Sequence, residues 1–363
     1  MFKSIHNNKD IISSKTYSLN SLIAVYNNMN IGLRKKIKIV KSNKTILTKK
    51  SINNDNIYLI YQFFIAKLPN KQKDKTIEKS KIVQKLDPQL CTKDLLQSMQ
   101  SKKKTAIYKI SKWWYELIEK KRIKQRNKEI RFCLKKNVEN PYINKIFLIN
   151  ERIYSEKELG IKSNKIIQIN ISRRLLFSDI LKLIKSYSLY GHIITGNADI
   201  FYDYTINWLK YTDIFQEKIM YNQLRLEYKE GVKLDTCGIY NGKINETGFW
   251  NPNLIFPPKQ IKFLESKNLA HKVYCPYSAD TWIFHTNSFK NNKIYNQLLE
   301  SLDVPMGILG VDQIIPYKFF ELGYEIRNEP LLIKCYHYHT SYSRDYKQGN
   351  KLKDDYLLVF PFV

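Results

Sequence analysis

Apolar residues fall along this chain in short runs whose spacing alternates between the strand and helix periods. Asn56–Ala66 (NIYLIYQFFIA) is rich in Ile, Tyr and Phe and has the length of a buried strand of the kind found in parallel sheets. Gln125–Lys136 places Ile130, Cys133 and Leu134 on one helical face. Ile143–Asn150 (INKIFLIN) and Lys165–Ile171 (KIIQINI) read as a second and a third buried strand. Leu175–Tyr187 reads as an amphipathic helix, and Gly191–Ile200 as a fourth strand with amide and acidic residues at its carboxyl end. This rhythm predicts an α/β protein with a mostly parallel sheet flanked by helices. Such sheets bind ligands beyond the carboxyl ends of their strands.

The second half is mixed. Met220–Tyr228, Thr281–His285 and Leu331–His339 read as strands, and Val311–Leu322 as a helix closed by Gly323. No Pro/Gly-rich linker divides it, so 56–346 is expected to form one domain. Residues 1–55 are polar, rich in Asn, Lys and Ser, with weak apolar patches at Leu22–Tyr26 and Ile37–Val40, and read as an N-terminal arm. The charged stretch 67–124 reads as an inserted segment, with Ile110, Trp113, Trp114 and Leu117 at helical spacing. Residues 347–363 form a C-terminal tail.

Charge adds an asymmetry to this outline. The formal net charge is +28, from 61 Lys and Arg against 33 Asp and Glu. Residues 1–136 carry 33 basic and 9 acidic side chains, and 137–363 carry 28 and 24. A basic patch of that kind can bind nucleic acid or an anionic surface. A general richness in Lys, Asn and Ile is the favoured account, because no nucleic-acid motif accompanies the charge. The five cysteines are scattered without a C-x-x-C pair, which argues against a disulfide framework or a structural zinc site. The longest strongly apolar stretch, Tyr58–Ala66, is far short of the roughly 20 residues of a membrane span. A soluble protein of a reducing, cytoplasmic compartment is the expectation.

Four constellations carry candidate chemistry. Asn197-Ala198-Asp199-Ile200-Phe201-Tyr202-Asp203 follows an apolar strand, so Asp199 would lie at the rim, where a carboxylate can hold a divalent cation against a diphosphate. The alternative is a polar turn in which Asp199 or Asp203 caps a helix at Tyr204–Leu209. Gly310-Val311-Asp312-Gln313 enters a helix, and Asp312 is either a general base or a helix cap. His337 and His339 lie two apart on a strand and point to one face, a ligand pair or two ordinary strand histidines, with Arg344 beyond them to neutralise phosphate. Asp280 and Trp282, in Ser278–Phe284, suit sugar hydroxyls or a strand-entry turn with the indole in the core. Walker-type loops, G-x-G-x-x-G, G-x-S-x-G and H-E-x-x-H are absent, which disfavours P-loop kinases, dinucleotide enzymes, serine hydrolases and zincins.

In this order, these motifs resemble a family of glycosyltransferases of the GT-A type found in bacteria and large DNA viruses. The resembling segments are YLIYQFF at 58–64, RNKEIRFCLKKNVENPYINKIFLINE at 126–151, IITGNADIFYD at 193–203, SADTWIF at 278–284, GILGVDQIIPYKFFELGYEIRNEP at 307–330 and CYHYHTSYSRDY at 335–346. The resemblance implies a GT-A-like, Rossmann-type α/β/α sandwich that binds a nucleotide-diphospho-sugar. It implies transfer of the sugar to an acceptor hydroxyl of a glycan, protein or other molecule. The D-x-D-type motif of such enzymes is Asn197-Ala198-Asp199 here. Asp199 then meets the metal, while Asn197 can bond the ribose but adds no charge. His337 or His339 would complete the metal shell, Asp312 would be the base, and Gln62, Arg126 and Glu151 would receive the base and ribose. A mixed imidazole, carboxylate and phosphate shell suits Mn2+ better than Mg2+. Two rivals stand beside this reading: a metal-dependent nucleotidyltransferase, and a non-catalytic nucleic-acid-binding protein using the basic N-terminal third.

Overall fold

The computed structural model describes residues 37–49, 55–66, 105–215, 218–240, 249–250, 279–341 and 352–362. Its centre is a seven-stranded sheet of order β12-β7-β11-β5-β2-β3-β4. The strands are β2 (Asn56–Tyr61), β3 (Lys145–Asn150), β4 (Ile166–Asn170), β5 (Gly191–Gly196), β7 (Ile219–Leu224), β11 (Ala279–His285) and β12 (Glu325–Arg327). β2 pairs in parallel with both β3 and β5. β11 alone runs against its neighbours β5 and β7. This is the mostly parallel, Rossmann-type α/β/α sandwich that the alternation of periods predicts.

Side-chain period two sorts the core into two layers. Ile60, Phe147, Ile149, Ile193, Met220, Trp282 and Phe284 face one cluster, with α3 (Phe177–Ser186), α4 (Asn292–Ser301) and α5 (Val311–Glu321) over it. Their neighbours Leu59, Tyr61, Ile146, Leu148, Ile194, Tyr221 and Ile283 face the other cluster, closed by Ile130 and Leu134 of α1 (Thr105–Glu139). The short helix α2 (Glu156–Leu159) follows β3.

β2 has β3 on one side and β5 on the other, so the sheet's winding reverses there. The carboxyl ends of β2 and β5 therefore flank a topological switch point, where open α/β sheets bind ligands. A second, five-stranded sheet of order β10-β9-β8-β13-β6 rises beside that edge. It comprises β6 (Ile200–Tyr202), β8 (Leu226–Glu227), β9 (Ile239–Tyr240), β10 (Phe249–Trp250) and β13 (Cys335–His337). The chain passes from β5 to β6 through 197–199, and from β7 to β8 through Arg225. Those two junctions place Asp199 and Arg225 at the seam between the sheets.

Three expectations are corrected. The segments 67–124 and 125–136 do not hold separate helices at the junction, since α1 runs unbroken from Thr105 to Glu139. Part of the expected arm and part of the expected tail belong to the fold: β1 (Ile37–Lys41) pairs in parallel with β14 (Tyr356–Phe360), and Tyr356, Leu357 and Val359 enter the core beneath α5. The backbone after β1 is fastened too, with Thr45 N donating to Glu329 Oε1 at 2.7 Å and Asn328 N to Ser42 Oγ at 2.8 Å. The strand expected over Leu331–His339 is short, Cys335–His337. Of the two caps left open for the helix after β6, Asp203 is the one that caps the 3-10 helix Tyr204–Tyr211, accepting from Thr205 N. Leu22–Tyr26, Cys91, Cys275 and residues 67–104 lie outside the described residues. Cys133, Cys237 and Cys335 are free, buried thiols. Among the described residues, no helix is long and apolar enough to cross a membrane.

Candidate metal centre

β5 is buried along its whole length and ends at Gly196, where an added Cβ would meet the Asp280 carbonyl oxygen at 2.6 Å. The chain then turns, and Asp199 is held by its own backbone: its carbonyl accepts from Tyr338 N at 2.9 Å. That bond locks the residue between the two histidines opposite Asp199. On β13 and its extension, Tyr336 and Tyr338 turn into an apolar cluster with Phe201 and Cys133, while His337 and His339 turn the other way. His337 Nε2 lies 3.2 Å and His339 Nδ1 3.6 Å from Asp199 Oδ2. One ligand atom from each of Asp199, His337 and His339 falls within 4.8 Å of the others, a group able to hold a metal ion.

The surroundings extend this group into a chain of charges. His337 Nδ1 meets Glu227 Oε2 at 2.9 Å, which fixes the ring and leaves Nε2 toward Asp199. A carboxylate behind a ligating histidine in this way orients the ring and raises its basicity. Glu227 also accepts from Arg225 Nε at 2.6 Å, and Arg225 reaches on to Asp280, which accepts from Asn197 Nδ2 at 2.7 Å. On the other side, Arg126 Nη1 donates to Asp199 Oδ2 at 2.7 Å and lies 3.6 Å from Glu129 Oε2. Glu129 is fully buried and accepts from both N–H groups and both hydroxyls of Thr340 and Ser341. It thereby pins the turn that follows His339.

Burial alone would raise the Asp199 carboxyl, but Arg126, His337 and His339 more than reverse this and hold it well below the usual carboxylate range. Burial likewise opposes ionisation of Glu227, yet His337 and Arg225 bring it down to about 2. Burial and Arg225 oppose protonation of His337, but Glu227 and Asp199 outweigh them and bring it up to about 9. Four carboxylates (Glu129, Asp199, Glu227, Asp280) meet two guanidiniums (Arg126, Arg225) in this chain. Two negative charges remain when both imidazoles are neutral, so a divalent cation would balance the group. Buried charge is tolerated only when compensated, and the mixed nitrogen and oxygen donors suit a first-row divalent ion.

The structure brings together only part of the expected site. Asp199, His337, His339 and Arg126 converge, although Arg126 is engaged with the Asp199 carboxylate and not open for a base or ribose. Asn197 adjoins them through Asp280. Asp280 is itself buried and committed to Arg225 and Asn197, which removes it from the role of a sugar-binding carboxylate. Trp282 is fully buried and packs edge-on against Phe177, so its indole belongs to the core and not to a substrate surface. Gln62 braces the loop between β4 and α3, its amide reaching Arg173 O at 3.4 Å and its oxygen accepting from Leu175 N at 3.3 Å. Glu151 is an exposed residue just past β3. Asp312 lies in the first turn of α5, whose N-cap is Gly310. α5 leads back through Gly323 into β12, parallel to β7, so its N-terminus faces the carboxyl edge of the sheet. Arg344 is outside the described residues.

Glu129, Arg225 and Glu227 were not singled out from sequence. Arg225 and Glu227 did leave a signal, two charges at strand spacing at the end of the apolar run Met220–Tyr228. No protein-family model and no curated protein matches the chain. Among solved structures, the chain is similar to the 4-diphosphocytidyl-2C-methyl-D-erythritol synthase of Anaerococcus prevotii, at 12% identity and a TM-score of 0.29, over 61% of this chain and 81% of that one.

Proposed function

We propose that the protein is a metal-dependent glycosyltransferase that moves a sugar from a nucleotide-diphospho-sugar to an acceptor hydroxyl. One observation carries this reading: Asp199, His337 and His339 converge at the carboxyl edge of β5, beside the point where the sheet's winding reverses. Asp199 Oδ2, His337 Nε2 and His339 Nδ1 would hold the cation, with Mn2+ favoured over Mg2+ by the two imidazoles. Bound there, a divalent ion supplies Lewis-acid stabilisation of a departing diphosphate. The chain's own groups do the rest. Asn197, its amide oriented by Asp280, presents Oδ1 to a ribose hydroxyl. Glu227 keeps His337 in the tautomer that offers Nε2. Asp312, at the mouth of α5, takes the proton of the acceptor hydroxyl as the new glycosidic bond forms. Arg344, five residues beyond His339 in the sequence, would add positive charge to the diphosphate.

The test is a panel of nucleotide-sugars with and without Mn2+, followed by product analysis. The matching donor should raise the melting temperature only with the metal and should release a nucleoside diphosphate on turnover. Release of the sugar 1-phosphate, with the nucleoside monophosphate group carried onto the acceptor, would make the α-phosphate the reacting centre and would turn the assignment to a nucleotidyltransferase. Salt-dependent nucleic-acid binding that ignores Asp199→Asn, with no donor recognised, would replace catalysis by a binding role.

A further inference from the structure

Asp199 Oδ2 is crowded in an informative way. The same oxygen that would ligate a cation with His337 Nε2 and His339 Nδ1 already accepts from Arg126 Nη1 at 2.7 Å. A cation bound by these three atoms sits about 2.0–2.2 Å from each, so a guanidinium on the same oxygen would face it across a few ångströms of poorly solvated space. Like charges at that range repel strongly. Arg126 and the cation are therefore competitors for one carboxylate oxygen.

We propose that Arg126 is an exchangeable counter-ion: it holds Asp199 until a divalent cation takes the carboxylate, then turns to an incoming diphosphate. Two surroundings favour the turn. Arg126 is the wetter member of its pair, with 11% of its side chain exposed against 6% for Asp199. Its guanidinium also lies 5.7 Å from the Phe64 ring, in the segment that leaves the carboxyl end of β2 and borders the switch point. The planar fork of arginine matches phosphate oxygens, as it matches carboxylates. Glu129 Oε2, at 3.6 Å on the same helix, keeps a second carboxylate beside the guanidinium as it moves. Binding is then ordered, metal before diphosphate. This inference rests on reading Asp199, His337 and His339 as metal ligands.

The experiment is isothermal titration of the full chain with Mn2+ alone, for wild type, Arg126→Gln, Arg126→Lys and Asp199→Asn. Arg126→Gln should bind Mn2+ roughly 10-fold or more tightly than wild type, because no charge-assisted bond has to be broken first. A variant that is merely damaged would not gain affinity. Arg126→Lys should fall between the two, and it carries the test if Arg126→Gln does not fold without metal. With Mn2+ saturating, inorganic pyrophosphate should bind Arg126→Gln roughly 10-fold more weakly than wild type. Unchanged or weaker Mn2+ binding in Arg126→Gln, with binding lost in Asp199→Asn, would overturn the exchange and leave the metal centre standing. Equal Mn2+ binding in wild type and Asp199→Asn, or none in any protein, would overturn the metal centre and the exchange together.

Discussion

Replacing Glu129 measures how firmly α1 holds the turn behind His339. Glu129 Oε1 accepts from Thr340 N at 2.8 Å, Thr340 Oγ1 at 2.9 Å and Ser341 N at 2.8 Å, and Oε2 accepts from Ser341 Oγ at 2.9 Å. In Glu129→Ala the hydroxyls can rotate to other acceptors and Thr340, an exposed residue, can meet water, but the buried Ser341 N–H cannot. Each buried donor left without a partner costs about 1–3 kcal/mol. Arg126 also loses one of its two carboxylate neighbours. Together these give an expected loss of about 3–5 kcal/mol, the range for breaking a buried charged network. Glu129→Gln keeps a carbonyl oxygen at the Oε1 position and offers an NH2 that Ser341 Oγ can accept, so its cost should drop to about 1–2 kcal/mol. Urea unfolding at an unchanged m-value reads both numbers. Because the pinned turn begins one residue after His339, Mn2+ affinity should fall in parallel with stability. Equal losses for Ala and Gln, or an alanine variant within about 0.5 kcal/mol of wild type, would refute the account of Glu129 as the anchor.

Without metal, the raised His337 group stabilises the fold while protonated: its contribution should be complete below about pH 6.5 and be lost as pH rises through about 9. Thermal melts from pH 6 to 10 in a chelator check this, and a flat profile would contradict it. Glu227→Gln removes the charge behind the His337 ring and should weaken Mn2+ binding about 10–100-fold, as loss of an outer carboxylate partner does; calorimetry reads it, and unchanged affinity would show that Glu227 serves Arg225 alone. Asp312→Asn should lower turnover on the order of 10²–10⁴-fold with the donor still bound, whereas a matched loss of stability without a specific loss of turnover would mark Asp312 as a structural feature of the first turn of α5.

The sheet was legible because its strands are short apolar runs whose alternate residues face two buried layers, as Ile60 and Tyr61 or Ile283 and Phe284 do. The pairing of β1 with β14 was not, for a physical reason: IKIVK is five residues long and interrupted by Lys38, and its partner lies some three hundred positions away. No local pattern encodes that contact. The length of α1 was legible in principle, since no Gly or Pro interrupts 105–139 and Pro141 follows its end.

Within the site, the residues legible from sequence are those whose chemistry is fixed by strand ends: Asp199 after β5, and His337 and His339 at strand spacing. The residues that make the cluster tolerable sit on α1 and on the β7–β8 junction, where the apolar pattern conceals them. Along α1 and just past its end, Arg126, Glu129, Cys133, Asn137 and Asn140 recur every three or four positions, so one face reaches Asp199, Thr340 and the backbone of β6 in turn. Read as a core face, that stripe yields Ile130 and Leu134 and passes over the polar members between them. The charge balance shows what those members do. Among the described residues, Arg126 and Arg225 pair with two of the four carboxylates' charges. Protons on the imidazoles or a cation between them would balance the remainder. Both solutions use His337 Nε2, so a metal ion can enter only as that nitrogen gives up its proton. The ion pairs that stabilise this seam thus also set the conditions under which it can bind a metal.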